Sequence, residues 1–116
     1  MTAAVTGLWA AAFGKGPEFA RTYVNDDNVV VVMHGGLLPH EQVLLDAGEE
    51  EVVRAARHRF ERALAPQMRR VVEEATRRRV ATYDSQILFG PTRTFELFVL
   101  EPDEAAGPGR RATGAG

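Results

Sequence analysis

The sequence predicts an α+β domain in which two β-hairpins form one antiparallel sheet, with a long amphipathic helix and shorter helices packed on one face. Three observations predict it. Apolar residues recur with helical period from Glu49 to Arg79, with Arg and Glu filling the other positions. Two pairs of extended runs, rich in Val, Tyr, Phe and Ile, each flank a cluster of turn formers. The order is helix, two strands, short helix, long helix, two strands, so each strand has a partner next to it in sequence.

Element by element, Val5, Trp9, Ala12 and Phe13 fall at three- and four-residue spacing among good helix formers, which predicts a short helix over Thr2 to Phe13. Gly14-Lys15-Gly16-Pro17 stops it. Arg21 to Val24 and Val29 to Met33 then flank Asn25-Asp26-Asp27-Asn28, a tip of residues that tolerate left-handed backbone angles and bond to their own loop. The four consecutive valines place their strand mid-sheet or under cover on both faces. After Gly35-Gly36, Pro39 opens a short helix over His40 to Asp46 that closes at Ala47-Gly48.

Val52, Val53, Ala56, Phe60, Ala63, Leu64, Met68, Val71, Val72 and Ala75 form the stripe of the long helix, and Pro66 inside it predicts a kink or break near Ala65. Two runs follow, Val80 to Phe89 and Arg93 to Leu100, around Gly90-Pro91-Thr92. Ala81, Tyr83, Ser85, Ile87 and Phe89 share one strand face, and Phe95, Leu97 and Val99 share one face of the next, leaving Phe98 and Leu100 opposite. A partly apolar far face needs a cover, and a second copy of the chain is the expected one.

Composition fits one small soluble domain. With 116 residues, 45% hydrophobic and 26% charged, no cysteine and a net charge of −2, the chain is neither a disulfide scaffold nor a disordered or multidomain one. The longest uncharged stretch, Met1 to Gly14, is shorter than the roughly 20 apolar residues of a membrane span. No positive charge precedes it, so cytoplasmic residence is the default expectation. Residues 1–101 form the expected domain. Residues 102–116, rich in Gly, Ala, Pro and Arg, lack the apolar surface to offset ordering and are expected to be a disordered tail.

Most catalytic and metal chemistry is poorly supplied. Gly14-Lys15-Gly16 suggests a phosphate loop opened by Gly7, but six residues separate Gly7 from Gly14 where four are needed, and Gly16 stands where Ser or Thr would hold magnesium. His34, His40 and His58 have no i, i+4 partner, and Asp26 and Asp27 are explained by turn geometry, so neither a metal nor any other cofactor is expected. The sole serine, Ser85, lacks a nucleophile-elbow pattern, although Asp84 stands beside it, and the chain is not expected to be an enzyme.

The long helix carries nine arginines against four glutamates from Glu51 to Arg79. This is either an electrostatic footprint for nucleic acid, an acidic partner or an anionic membrane surface, or a solvated face with charges answered by Glu73–Arg77, Glu74–Arg78 and Arg57–Glu61 at i, i+4. No aromatic stacking platform interrupts it. Arg77, Arg78 and Arg79 are the candidate contact for an anionic partner.

Taken in order, Phe13-Gly14-Lys15-Gly16-Pro17, Arg21-Thr22-Tyr23-Val24-Asn25-Asp26-Asp27, the valine strand, Leu37-Leu38-Pro39-His40-Glu41, the long charged helix and the strand Phe95 to Glu101 resemble the MpsC family. That is a family of small bacterial domains named for a component of a sodium-translocating, membrane-potential-generating system. The similarity runs from about Leu8 to Glu101. It marks Gly14, Gly16, Pro17, Thr22, Asp26, Asp27 and Asp84 as a family signature without assigned roles. The leading helix is short for the family, and the Gly-Ala-Arg tail has no expected counterpart in it.

The resemblance implies a non-catalytic accessory or regulatory domain that acts through protein interaction beside a membrane transport protein at the inner face of the membrane, and the apolar far face of the sheet adds the expectation of a homodimer. Ion translocation would then belong to that partner. Two other readings are a nucleic-acid-binding module using the arginine face, and a small-ligand sensor in the sheet–helix crevice near Tyr23 and Tyr83.

Overall fold

A computed structural model describes residues 1–102. The tail expected over 102–116 lies outside the described residues but for Pro102. Seven elements follow one another: α1 (Thr2–Phe13), β1 (Phe19–Asn25), β2 (Asn28–His34), α2 (Pro39–Asp46), α3 (Glu50–Thr76), β3 (Val80–Leu88) and β4 (Arg93–Leu100). The strands form one antiparallel sheet in the order β1-β2-β4-β3, so the two hairpins meet along β2 and β4. The valine strand is thus an inner strand, as its composition predicts.

Local chemistry sets the ends of these elements. Gly14 takes the left-handed conformation (φ 77°) and returns its N–H to the Ala10 carbonyl, closing α1. Asp26, at φ 53°, turns the first hairpin, and Asn25 pairs with Asn28 across it. Pro39 starts α2, where the Glu41 carboxylate accepts the Leu38 N–H at 2.8 Å.

α3 runs unbroken through Pro66, so the break expected near Ala65 does not occur. Pro66 and Arg62 are both exposed, and the Arg62 carbonyl that loses its N–H partner can turn to water. The helix ends earlier than its charge pattern suggests. Arg77 sits at φ 60° as its left-handed cap, so the three arginines 77–79 belong to the turn into β3.

All three described helices lie on one face of the sheet. Their common core joins Val5 and Trp9 of α1, Met68 and Val72 of α3, Val29, Val31 and Met33 of β2, Val80 of β3, and Phe98 and Leu100 of β4. Each such side chain contributes about 1.5–3 kcal/mol on burial. This corrects the face assignment of the last strand. Phe98 and Leu100 point into the core with Thr94 and Glu96, whereas Phe95, Leu97 and Val99 point away from the helices. An extra residue between Val80 and Thr82 also shifts β3, so Ala81 leaves the face that Tyr83, Ser85 and Ile87 share.

Candidate functional site

The signature residues are dispersed, and most of them build the frame. Gly14, Gly16 and Pro17 form one corner, where Pro17 lies so close to Gly36 that a side chain there would touch its backbone at 3.4 Å. Lys15 donates from Nζ to the Leu37 carbonyl at 3.3 Å, so this loop ties to the entrance of α2. The Thr22 and Thr2 hydroxyls bond to each other, fastening β1 to α1. Asp26 and Asp27 occupy the far tip of the hairpin. There the Asp27 carbonyl accepts the Leu100 N–H at 2.7 Å, and its carboxylate accepts Arg78 Nη2 at 2.5 Å. Asp84 lies on the uncovered face of the sheet, bonded to Gln86 at 3.1 Å.

The arginine face is more committed than its sequence suggests. Arg78 also donates to the Glu101 carbonyl at 2.6 Å, while Arg77 and Arg79 are exposed. The expected i, i+4 pairs give way to longer-range partners: Arg57 bonds Glu41, Arg78 bonds Asp27, and Glu73 accepts the Val80 N–H at 2.8 Å. Tyr23 and Tyr83 lie on opposite faces of the sheet, so they do not share a crevice.

Two buried clusters of charge lie along α3, and the sequence reading missed both as clusters. In the first, Arg57 reaches from α3 to the Glu41 carboxylate of α2, with Nε to Oε2 at 2.6 Å and Nη2 to Oε1 at 2.5 Å, and donates to the Gly36 carbonyl at 3.1 Å. Its guanidinium lies 5.1 Å from the Trp9 ring centroid and 4.6 Å from that of Phe13. Burial would raise the Glu41 carboxyl, but the hydrogen bonds from Arg57 and the Leu38 N–H, with the guanidinium's charge, outweigh it and hold the group below the usual carboxylate range. One residue thereby joins α1, α2, α3 and the Gly35-Gly36 loop.

The second cluster sits between α3 and the β3–β4 hairpin. Glu96, fully buried, accepts the Tyr83 hydroxyl on Oε2 and the Ser85 hydroxyl on Oε1 at 3.0 Å. Glu61 of α3, 3% exposed, faces the same group, and its Oε1 has no hydrogen-bond partner. Burial, reinforced by the charges of Glu61 and Asp84, pushes the Glu96 carboxyl up to about 8 against the two hydroxyl bonds that favour its charged form. Burial raises Glu61 as well, and burial with Glu96 beside it raises the Tyr83 phenol. Burial beside a second acid disfavours the ionised form of Glu96, so this carboxyl is the group that favours a proton up to about pH 8. A cleft of about 360 Å³ lined by Arg54, His58, Glu61, Arg62, Ser85 and Gln86 opens above it. Ser85 is buried with its proton directed at Glu96.

The third feature is the sheet face that no described helix covers. Row by row it carries Phe19, His34, Arg93 and Leu88; Arg21, Val32, Phe95 and Gln86; Tyr23, Val30, Leu97 and Asp84; and Asn25, Asn28, Val99 and Thr82. Its centre is apolar, and Phe19, Tyr23 and Leu88 at its margins are each about half exposed. Among the described residues no three His, Asp or Glu side chains come together in a way that could hold a metal ion, and His34, His40 and His58 sit on three different elements. No helix there is long and apolar enough to cross a membrane.

None of the curated proteins and none of the solved structures matches the chain. The sequence model of one family, described as the Na+-translocating membrane potential-generating system (MpsC), matches residues 2–102, which takes in every element of the fold from α1 to β4. The chain belongs to the MpsC family.

Proposed function

We propose that the protein is a non-catalytic accessory or regulatory component of an MpsC-type system, working by protein association on the cytoplasmic side of a membrane transport protein. The observation that carries this reading is the uncovered sheet face. Among the described residues, a sheet with helices on one side leaves the apolar side chains Val30, Val32, Phe95, Leu97 and Val99 with no helix over them. The absence of a helix fit to span the membrane among the described residues supports a role in which a partner supplies the ion path. The commitment of Ser85 to Glu96, and the direction of the family-signature residues toward turns and ties, support a role without bond-making chemistry.

The test is affinity purification of the tagged full chain from its native membranes, beside a Leu97→Glu variant of unchanged circular dichroism. The expected result is co-purification of a membrane transport protein with the native chain and its loss with the variant. Equal recovery from both, or recovery of no membrane protein from either, overturns the reading.

A further inference from the structure

We propose that the uncovered sheet face binds a second copy of this chain, sheet to sheet, about a dyad that runs parallel to the strands over the β2–β4 seam. The inference rests on the association reading above and names the occupant of that surface: the second copy covers the sheet face, and the transport protein engages the dimer, so that Leu97→Glu loses it by breaking the dimer. It is carried by the arrangement of residues across the four strands.

The strand order β1-β2-β4-β3 places the two hairpins on either side of the seam. A dyad along the strands therefore lays β1 on the partner's β3 and β2 on the partner's β4, and leaves every residue in its own row. Applied to the observed register, this puts Val32 over the partner's Phe95 and Val30 over the partner's Leu97, at the centre. Phe19, half exposed at one margin, then meets the partner's Leu88, half exposed at the other. Apolar groups meet apolar groups in all three pairs, although nothing in the fold of a single copy requires that symmetry.

The charges at the two sheet edges make the same choice, although at one end of the seam the same dyad lays His34 over the partner's Arg93. Arg21 lies on the β1 edge and Asp84 on the β3 edge, one row apart. The strand dyad brings Tyr23 over the partner's Asp84, with Arg21 one row away, about 7 Å along the strand and within the reach of an arginine side chain. Aligned sheets pack with a rotation of about 30°, which shortens one such diagonal at each edge. A dyad perpendicular to the strands instead stacks β1 on β1 and β3 on β3. That arrangement sets Arg21 beside the partner's Arg21 and Asp84 beside the partner's Asp84, in each case a like-charge approach.

Size sets the expected strength. Four strands about 4.8 Å apart and seven residues long give a face of about 19 by 23 Å. Two such faces remove on the order of 1,000 Å² of accessible surface with their side-chain relief, near the lower bound of a specific interface. The dimer is therefore expected to form in the micromolar range and to exchange.

The test is sedimentation velocity with the full chain from about 1 to 300 μM, a range that brackets a micromolar dissociation constant. The native chain should pass from monomer to dimer, and Leu97→Glu should stay monomeric throughout. Arg21→Glu and Asp84→Arg should each weaken the dimer at least tenfold, and the double variant should recover most of the loss, because it exchanges the two charges across the dyad. Circular dichroism of each variant establishes that it is folded. A native chain that remains monomeric at 300 μM overturns the second copy as occupant. If Leu97→Glu still loses the membrane partner in the purification above, the association reading survives that failure. A dimer that neither single charge variant weakens, or that the double variant does not restore, overturns the strand dyad.

Discussion

Two carboxylates are buried against the same helix and meet opposite fates. Glu41 is answered by a guanidinium that binds both its oxygens, and its pKa falls. Glu96 is answered by two neutral hydroxyls and faced by a second acid, and its pKa rises to about 8. Burial is common to both, so the difference lies in the sign of the neighbour. The first arrangement fixes the packing of three helices with a permanent charge pair. The second holds a proton in the core, and its contribution to stability depends on pH.

The largest expected effect comes from breaking the matched pair. Arg57→Met keeps much of the side-chain volume but leaves Glu41 buried without its countercharge, and should cost about 3–5 kcal/mol in urea unfolding. The double variant with Glu41→Gln should recover a large part of that loss. A single variant that loses under 1 kcal/mol would show that α2 swings away to hydrate Glu41, and that the pair is no strut.

The next effect separates the clusters by pH. Glu96 has a folded-state pKa above its unfolded value, so between about pH 4.5 and 8 the folded chain binds more protons than the unfolded one. Stability from this group is therefore full at the acid end of that window, falls as pH rises by up to about 1.4 kcal/mol per unit, and levels off above about 8. Glu41 works in the opposite sense. Its pKa is depressed, so its contribution is present above the ordinary carboxylate range and is lost as pH falls through the folded value. Thermal midpoints from pH 5 to 9 should decline for the native chain and decline less steeply for Glu96→Gln, in which Glu61 remains the raised carboxyl. A Glu96→Gln variant with the native slope would move the retained proton elsewhere.

These clusters also show where the sequence was readable. The helical stripe from Val52 to Ala75 and the turn formers at Asn25 to Asn28 state their structures locally, because period and turn chemistry depend only on near neighbours. The faces of β4 were misjudged because Thr94 and Glu96 occupy core positions, which makes the alternation Thr-Glu-Phe-Leu look half polar beside Phe95, Leu97 and Val99. A buried Glu disguises a core strand. The partners of Arg57 and Arg78 were missed for a related reason: i, i+4 spacing is visible in a sequence, whereas Glu41 and Asp27 come near only after the chain folds. The Pro66 break failed because tertiary packing on both sides of it, at Leu64 and Met68, holds the helix through one lost bond. Family membership was legible because the order of short motifs survives where each motif alone is weak.

The smallest effect concerns the ion pair of Arg78 with Asp27, which tests how far the contrast between matched and unmatched burial extends toward the surface. Arg78 and Asp27 are partly exposed, with side chains 16% and 34% accessible, so solvent screens the pair far more than it screens Arg57 and Glu41. Yet Arg78 also reaches the Glu101 carbonyl, and so joins the tip of the first hairpin to the end of β4. Arg78→Ala should cost about 1 kcal/mol, more than an isolated surface pair and well below Arg57→Met. The same substitution bears on the arginine face. If Arg78 serves the fold, then weak binding of duplex DNA at low salt should respond to Arg77→Ala and Arg79→Ala, whose side chains are exposed, and be insensitive to Arg78→Ala. Loss of DNA binding on Arg78→Ala alone, with stability unchanged, would reverse that assignment and make the hairpin tip part of an anionic-partner surface.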